Sequence, residues 1–386
     1  MSGTRKSWTG AFLAIAVVGT VTATAIPSQA ASTGHKPTIA PNAVVVASNL
    51  HNPRGVRVQP DGSLVVAEAG TTLATCPPPP ANQRNSCLGF TGSLYRVAGS
   101  SKGRVVTGLP SEQINQDYGT SVLTRVAGAV QADYAGDGTF QVSYGLSGAP
   151  ADRAALGAGS EPLGSLSTSK GKVLGDLAEH ELEHNPDAAD GITGGPFSNP
   201  WEFAKDGKDF LVTDAGANDL IRVHADGTTS TEFLFPNNIS ANPATSDPQT
   251  PVGQLQAVPT GIVRGHDGAF YIADMSGMEQ GKSRIWRYVP GSQPTVIATG
   301  LTDVLGLALD PHSNDLIALS YGTGTSSNPG PGALNRISTS TGAVTAIQTT
   351  TPLVAPAGLA VTSNGDVYVT SNTQGSTGEL LKFPAS

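Results

Sequence analysis

Basic charge is scarce in this sequence: 22 Lys and Arg stand against 30 Asp and Glu, for a formal net charge of −8. A nucleic-acid binder would carry a basic surplus, so that class is excluded, as is binding to an anionic membrane surface. Long hydrophobic runs are also missing. The longest, "AFLAIAVVGTV" from Ala11 to Val21, has eleven residues, short of the roughly twenty that a membrane span needs. Long helices are disfavoured, because 47 Gly and 28 Pro imply many turns and short elements. Only 2 Cys are present, and they lack the paired C-x-x-C spacing of a zinc knuckle.

Arg5 and Lys6 precede the apolar run and "IPSQAAS" follows it. Small residues at Ser28 and Ala30 match an A-x-A-like cleavage site. Residues 1–30 therefore read as a secretory signal peptide cleaved after Ala30, residues 31–40 as a flexible mature N-terminus, and 41–386 as one domain. Losing Arg5 and Lys6 takes the charge from −8 to −10. In an exported chain, Cys76 and Cys87 imply a disulfide. It brackets "PPPPANQRNS", which could neither pack nor pair alone.

The chain repeats itself. "NPRGVRVQPDGSLVVAEAG" (52–70), "NPWEFAKDGKDFLVTDAGANDLIRV" (199–223), "VPTGIVRGHDGAFYIADMSG" (258–277), "VLGLALDPHSNDLIALSYG" (304–322) and "APAGLAVTSNGDVYVTSNTQG" (355–375) run through the same events, with a degenerate copy at 124–145. Each unit reads as strand, turn, strand, loop, strand, turn, strand. Asp61-Gly62, Asp137-Gly138, Asp206-Gly207, Asp267-Gly268 and Asn364-Gly365 mark the first turn, since such pairs tolerate positive φ in tight hairpins. Second strands such as "FLVTDA" and "FYIADM" are β-branched and aromatic. Four short antiparallel strands repeated radially predict an all-β six-bladed propeller. The last unit runs out after "GELLKF", and "NAVVVASNL" (42–50) is an orphan strand. Pairing the two would close the ring and hide both edges.

This pattern resembles NHL-type propellers, and the chain is similar to the ScyD/ScyE family of exported bacterial propellers over roughly residues 40 to 384. The motifs are "LHNPRGVRVQPDGSLVVAEAG", the small cystine loop, "APADRAALG", "SNPWEFAKDG", "DAGANDLIRV" and "AVPTGIVRGHDGAFYIADMSG". The family takes its name from a cyanobacterial pigment cluster (scytonemin). The resemblance implies an exported propeller and no particular reaction.

Unit order assigns the hairpins between strands one and two, and three and four, to one rim. There the connections are short. The opposite face receives the long ones, including the cystine loop, 144–164, 235–260 and the 176–200 crossing. Binding usually sits on long loops held by a rigid scaffold. Glu68, Asp214 and Asp274 end equivalent second strands on that face, and Asp117, Asp152, Glu161 and Asp303 lie in its loops. Strand-end carboxylates can hold the following loop by accepting backbone N–H bonds. A Ca²⁺ site at Glu68, Asp214 and Asp274 is the other reading, because that ion takes loop and carboxylate oxygens. Six-bladed lactonases carry such a site at the channel mouth. Asn52, Asn199 and Trp201 complete the binding-face candidates. Trp201 and Trp286 are expected to pack between sheets.

"HELEH" (180–184) spells the H-E-x-x-H zinc-protease motif. Asn185-Pro186 follows at once and stops any helix, and no third His lies near. With Glu179, Glu181 and Glu183, the stretch reads as a charged, solvated turn. The remaining histidines form no triad with a serine, and no catalytic set assembles. The expectation is a monomeric secreted propeller that binds a small molecule or an extracellular protein without catalysis. The alternative is a Ca²⁺-assisted enzyme of the lactonase or lyase kind acting at the central channel.

Overall fold

The structure, a computed structural model, describes residues 39–241, 249–324 and 329–385. The expected signal peptide and nearly all of the expected flexible N-terminus lie outside the described residues. Among the described residues, six antiparallel sheets of four or five strands form, with one two-stranded hairpin, Asn238–Ile239 and Gln254–Leu255. The fold is a β-propeller.

Blade 1 opens with Pro53–Val58 and Leu64–Glu68 and continues with Arg84–Ala98, Ser101–Asp117 and Val122–Ala127. Blade 2 holds Ala129–Gly136, Thr139–Tyr144, Ser165–Thr168 and Val173–Asp176. Blade 3 holds Pro200–Asp206, Asp209–Asp214, Asp219–Val223 and Thr229–Leu234. Blade 4 holds Pro259–Arg264, Phe270–Asp274, Ser283–Tyr288 and Thr295–Leu301, and blade 5 Val304–Leu309, Leu316–Ser320, Ala333–Ile337 and Val344–Ile347. Blade 6 has Leu359–Val361, Val367–Ser371 and Gly378–Phe383, and its outer strand is Val44–Leu50 from the other end of the chain. Each first strand touches the first strands of the blades on either side, from blade 1 round to blade 6 and back. The ring is closed.

One hydrogen bond recurs in every blade. The carbonyl before the first strand accepts from the N–H just after the second: Asn52 from Ala69, Gly128 from Gly145, Asn199 from Ala215, Val258 from Met275, Asp303 from Tyr321, and Val354 from Asn372, at 2.6 to 3.1 Å. It ties each blade crossing to the loop between strands two and three, on one face. On the opposite rim, Gly62, Gly138, Gly207, Gly268 and Gly365 have φ between 63° and 89°. Residues with a Cβ rarely adopt that conformation, which is why the Asp-Gly and Asn-Gly pairs mark these hairpins.

The core is not a single mass. Six buried clusters each lie between two successive blades, as Val65, Ala67 and Leu94 do against Ala132, Phe140 and Val142. Second strands are sandwiched on both faces, so Leu64–Glu68, Phe270–Asp274 and Leu316–Ser320 are buried at every residue. That explains their continuous apolar runs. Burial is worth about 1.5–3 kcal/mol for each Val, Leu, Ile or Phe, so these slabs between blades hold the ring.

Two elements differ from the sequence expectation. The cystine segment is not a bare loop. Strands Arg84–Ala98 and Ser101–Asp117 run on past the long-loop face, and their extensions pair Arg84 to Leu88 with Gln116 to Glu112, then Glu112 to Asp117 with Ala127 to Val122. A three-stranded arm results, and the Cys76–Cys87 disulfide fastens the proline-rich segment to it. Trp286 packs against Phe233 and Phe235 as expected. Trp201 instead is only half-buried and outside every core cluster, because it opens the first strand of blade 3 at the long-loop face.

Candidate functional site at the channel mouth

Pairing places Pro53 opposite Glu68, Pro200 opposite Asp214 and Pro259 opposite Asp274. The three carboxylates thus hold one repeated position in three different blades, and all are buried. Glu68 accepts from the His51 N–H (2.7 Å), Ser93 Oγ (2.5 Å), and Arg104 through Nε (2.8 Å) and Nη2 (2.7 Å). Asp214 accepts from Ser198 Oγ and the N–H groups of Asn199, Gly216 and Ala217. Asp274 accepts from the Val258 and Ser276 N–H groups, Ser276 Oγ, Arg284 and the Trp286 indole N–H. Their lone pairs already face donors, and each holds its own loop. These donors fit the loop-holding role for all three carboxylates. No group of three His, Cys, Asp or Glu fit to hold a metal ion occurs among the described residues.

The paired asparagines are also structural. Asn52 Nδ2 donates to the Gly70 carbonyl at 2.8 Å, and its Oδ1 accepts from the Gly375 N–H at 2.8 Å, linking blades 1 and 6. Asn199 works through its backbone, donating to Asp214 and accepting from Ala215.

HELEH forms the end of helix α1, Leu177–His184, capped by Asp176 and closed by Asn185 in the left-handed region. His180 is buried, with Nδ1 3.1 Å from Thr229 Oγ1 and Nε2 2.7 Å from Thr231 Oγ1. Its ring stacks on that of His184 at 4.4 Å. Both His180 nitrogens are engaged, so the pair does not open toward an ion. Glu181 corrects the solvated-turn expectation: it is fully buried. The chain turns through Asn185 into a 3₁₀ segment, Pro186–Asp190, and this packs Glu181 and Asp187 in with Asp214 and Asp219. Burial first, then the neighbouring acids, pushes Glu181 up to about 9 and Asp219 well above its usual range.

A different group meets at the axis. Arg54, the second residue of blade 1, is half-buried, and donates through Nη1 to the Thr373 carbonyl (3.3 Å) and through Nη2 to the Val126 carbonyl (3.1 Å). Those carbonyls belong to the loop of blade 6 and to the last strand of blade 1. Gln374, next to the Thr373 whose carbonyl Arg54 holds, reaches Tyr321 in blade 5. Contacts that run from blade 1 through the blade 6 loop to blade 5 lie near the axis, so Arg54 marks the channel mouth. The Tyr321 hydroxyl accepts from Gln374 Nε2 at 2.8 Å. Burial, with Arg125 beside it, lowers Arg54 to about 10, although Tyr321 opposes the shift.

Two carboxyls flank this group. Asp303, just before blade 5, is buried with neither oxygen hydrogen-bonded among the described residues, and burial raises it to about 7. Glu112 on the arm meets Arg84 through Oε1 at 3.2 Å while Oε2 has no partner, and burial raises it to about 7 against the pull of Arg84. Arg125 is influenced in turn by Arg84 and Glu112. Carboxyls poised near neutrality can exchange protons with a bound molecule, and guanidinium forks can anchor an anion. Sequence reasoning placed Asp303 on this face but missed Arg54, Arg84, Glu112, Arg125 and Tyr321. The signal was weak, since none belongs to a motif and only ring closure brings them together.

No family model matches the chain, and no curated protein matches it. Among solved structures it is similar to a catalytically inactive virginiamycin B lyase from Staphylococcus aureus (12% identity, 88% of this chain and 97% of that one covered, TM-score 0.43). It is also similar to a luciferin-regenerating enzyme (10% identity, 88% and 95% covered, TM-score 0.45) and a glucose dehydrogenase (12% identity, 89% and 99% covered, TM-score 0.40). Likeness at that level carries nothing over to the ligand or activity of this chain.

Proposed function

We propose that the chain is a secreted, monomeric β-propeller of the ScyD/ScyE type that binds a small extracellular ligand at the channel mouth of its long-loop face. One observation supports this above the rest: side chains from blades 1 and 5 converge at the axis without satisfying one another. Buried polar groups are generally paired, and the strand-end carboxylates Glu68, Asp214 and Asp274 are. The disulfide suits an oxidising compartment, and no helix of the described residues is long and apolar enough to cross a membrane. A crystallographic fragment screen on residues 31–386 tests the reading. Fragments should collect between Arg54, Trp201 and Tyr321. Fragments spread over the outer blade edges, with none at the mouth, would sink it.

The second reading is a lactonase- or lyase-like enzyme at the same place, favoured by Asp303, a buried carboxyl near neutrality beside a tyrosine. Turnover in a lactone panel that disappears in Asp303→Asn would favour this enzyme over a binding module.

A further inference from the structure

We propose that the channel mouth takes an oxyanion, a carboxylate, sulfate or phosphate carried by a small molecule, on the fork of Arg54 beside Arg125 and the Tyr321 hydroxyl. This rests on the ligand-binding reading above and narrows it to a chemical class. Nine arginines of the described residues reach a carboxylate within 4.0 Å: Arg57, Arg84, Arg96, Arg104, Arg153, Arg222, Arg284, Arg287 and Arg336. Among the described residues Arg54 reaches none, although it is half-buried, and its two hydrogen bonds go to backbone carbonyls. A partly desolvated charge without a counterion is unfavourable, and a second guanidinium nearby adds repulsion that an anion would remove. The guanidinium has five N–H donors in a fixed fork, of which two are engaged with carbonyls here. The remaining donors match the paired oxygens of an oxyanion. Tyr321 accepts from Gln374 and so keeps its own hydroxyl proton to donate. Asp303 does not supply the missing charge, because it makes no ion pair with Arg54 and holds its proton up to about pH 7.

The test is calorimetric titration of sulfate and of citrate into residues 31–386, at ionic strength held constant with sodium chloride. Such salts also stabilise proteins by exclusion, so the variants decide. Saturable binding is expected in the wild type, weakened at least tenfold in Arg54→Gln and several-fold in Arg54→Lys, which keeps the charge and loses the fork. Arg264→Gln, on the exposed opposite rim, should bind as the wild type does. Equal affinity in wild type and Arg54→Lys, or no saturable binding, overturns the proposal. Neutral fragments seated at the mouth, with no anion effect, would leave the ligand site standing and remove only its anionic class. Should Arg54→Gln fail to fold, Arg54→Lys carries the comparison.

Discussion

At Asp274, one carboxylate receives two backbone N–H groups, a hydroxyl, a guanidinium and an indole N–H. Arg284 is itself buried and depends on that charge, with Nη2 2.6 Å from Oδ2. Asp274→Asn keeps the shape, removes the charge and leaves Arg284 uncompensated. Breaking one side of a buried pair costs about 3–5 kcal/mol. Urea denaturation should show that loss, equally with EDTA and with added Ca²⁺. A loss seen only in Ca²⁺ would mean that Asp274 is an ion ligand after all. The shared position of Glu68, Asp214 and Asp274 was legible in the repeats, and so was the clamp as one of two roles. What decides between the roles lies elsewhere in the chain. Ser93 and Arg104 satisfy Glu68 from the third and fourth strands, and Ser198 satisfies Asp214 from the crossing before it. No spacing rule ties those residues to the carboxylates.

The crossing between blades 2 and 3 shows how an element changes the meaning of its residues. The sequence reads there as a charged, solvated turn in which Asn185-Pro186 stops any helix; the structure forms helix α1 instead, and it does end at Asn185. The Glu residues looked interchangeable in sequence. The helix leaves Glu179 and Glu183 exposed and buries Glu181. The Asn185 amide, with its nitrogen toward the acids, lies 3.0 Å from Glu181 Oε1 and 3.1 Å from Asp187 Oδ1, and Asn218 Nδ2 is 2.9 Å from Asp187 Oδ2. Burial raises Asp187 to about 7 and Glu181 to about 9. A carboxyl whose folded value is raised keeps its proton in the native state after the unfolded chain has lost it. Its full stabilising contribution is present below the unfolded value, near 4, and is lost as pH rises through the folded value. Each pH unit in that window costs up to about 1.4 kcal/mol for each retained proton. The melting temperature should therefore fall steadily from pH 5 to pH 9. Glu181→Gln, which keeps an acceptor for Asn185 and cannot ionise, should flatten that fall. A variant with the wild-type slope would show that the proton sits elsewhere.

On the scale of the whole molecule, the ring was the most legible feature, because six similar units can bury their apolar second strands only against one another. The orphan N-terminal strand and the short last unit pointed to closure, and Val44–Leu50 pairs with Gly378–Phe383. The arm and the channel mouth were hidden for the opposite reason. The arm grows from strands that overrun their blade, and the mouth gathers residues from units far apart in sequence, so neither has a period. Closure makes a prediction about stability. Val44–Leu50 buries Ala47 and Leu50 in the cluster between blades 6 and 1, together with Val56, Val66 and Leu380. Removing residues 31–50 would open that slab and leave Gly378–Phe383 as a bare edge, a template for pairing with other chains. The truncated protein should melt at least 10 °C lower and elute as aggregates in size-exclusion chromatography. Adding a synthetic peptide of residues 39–51 should restore part of the melting temperature by binding the native ring. A truncated chain that stays monomeric and melts like residues 31–386 would show that the other inter-blade slabs hold the ring without this strand.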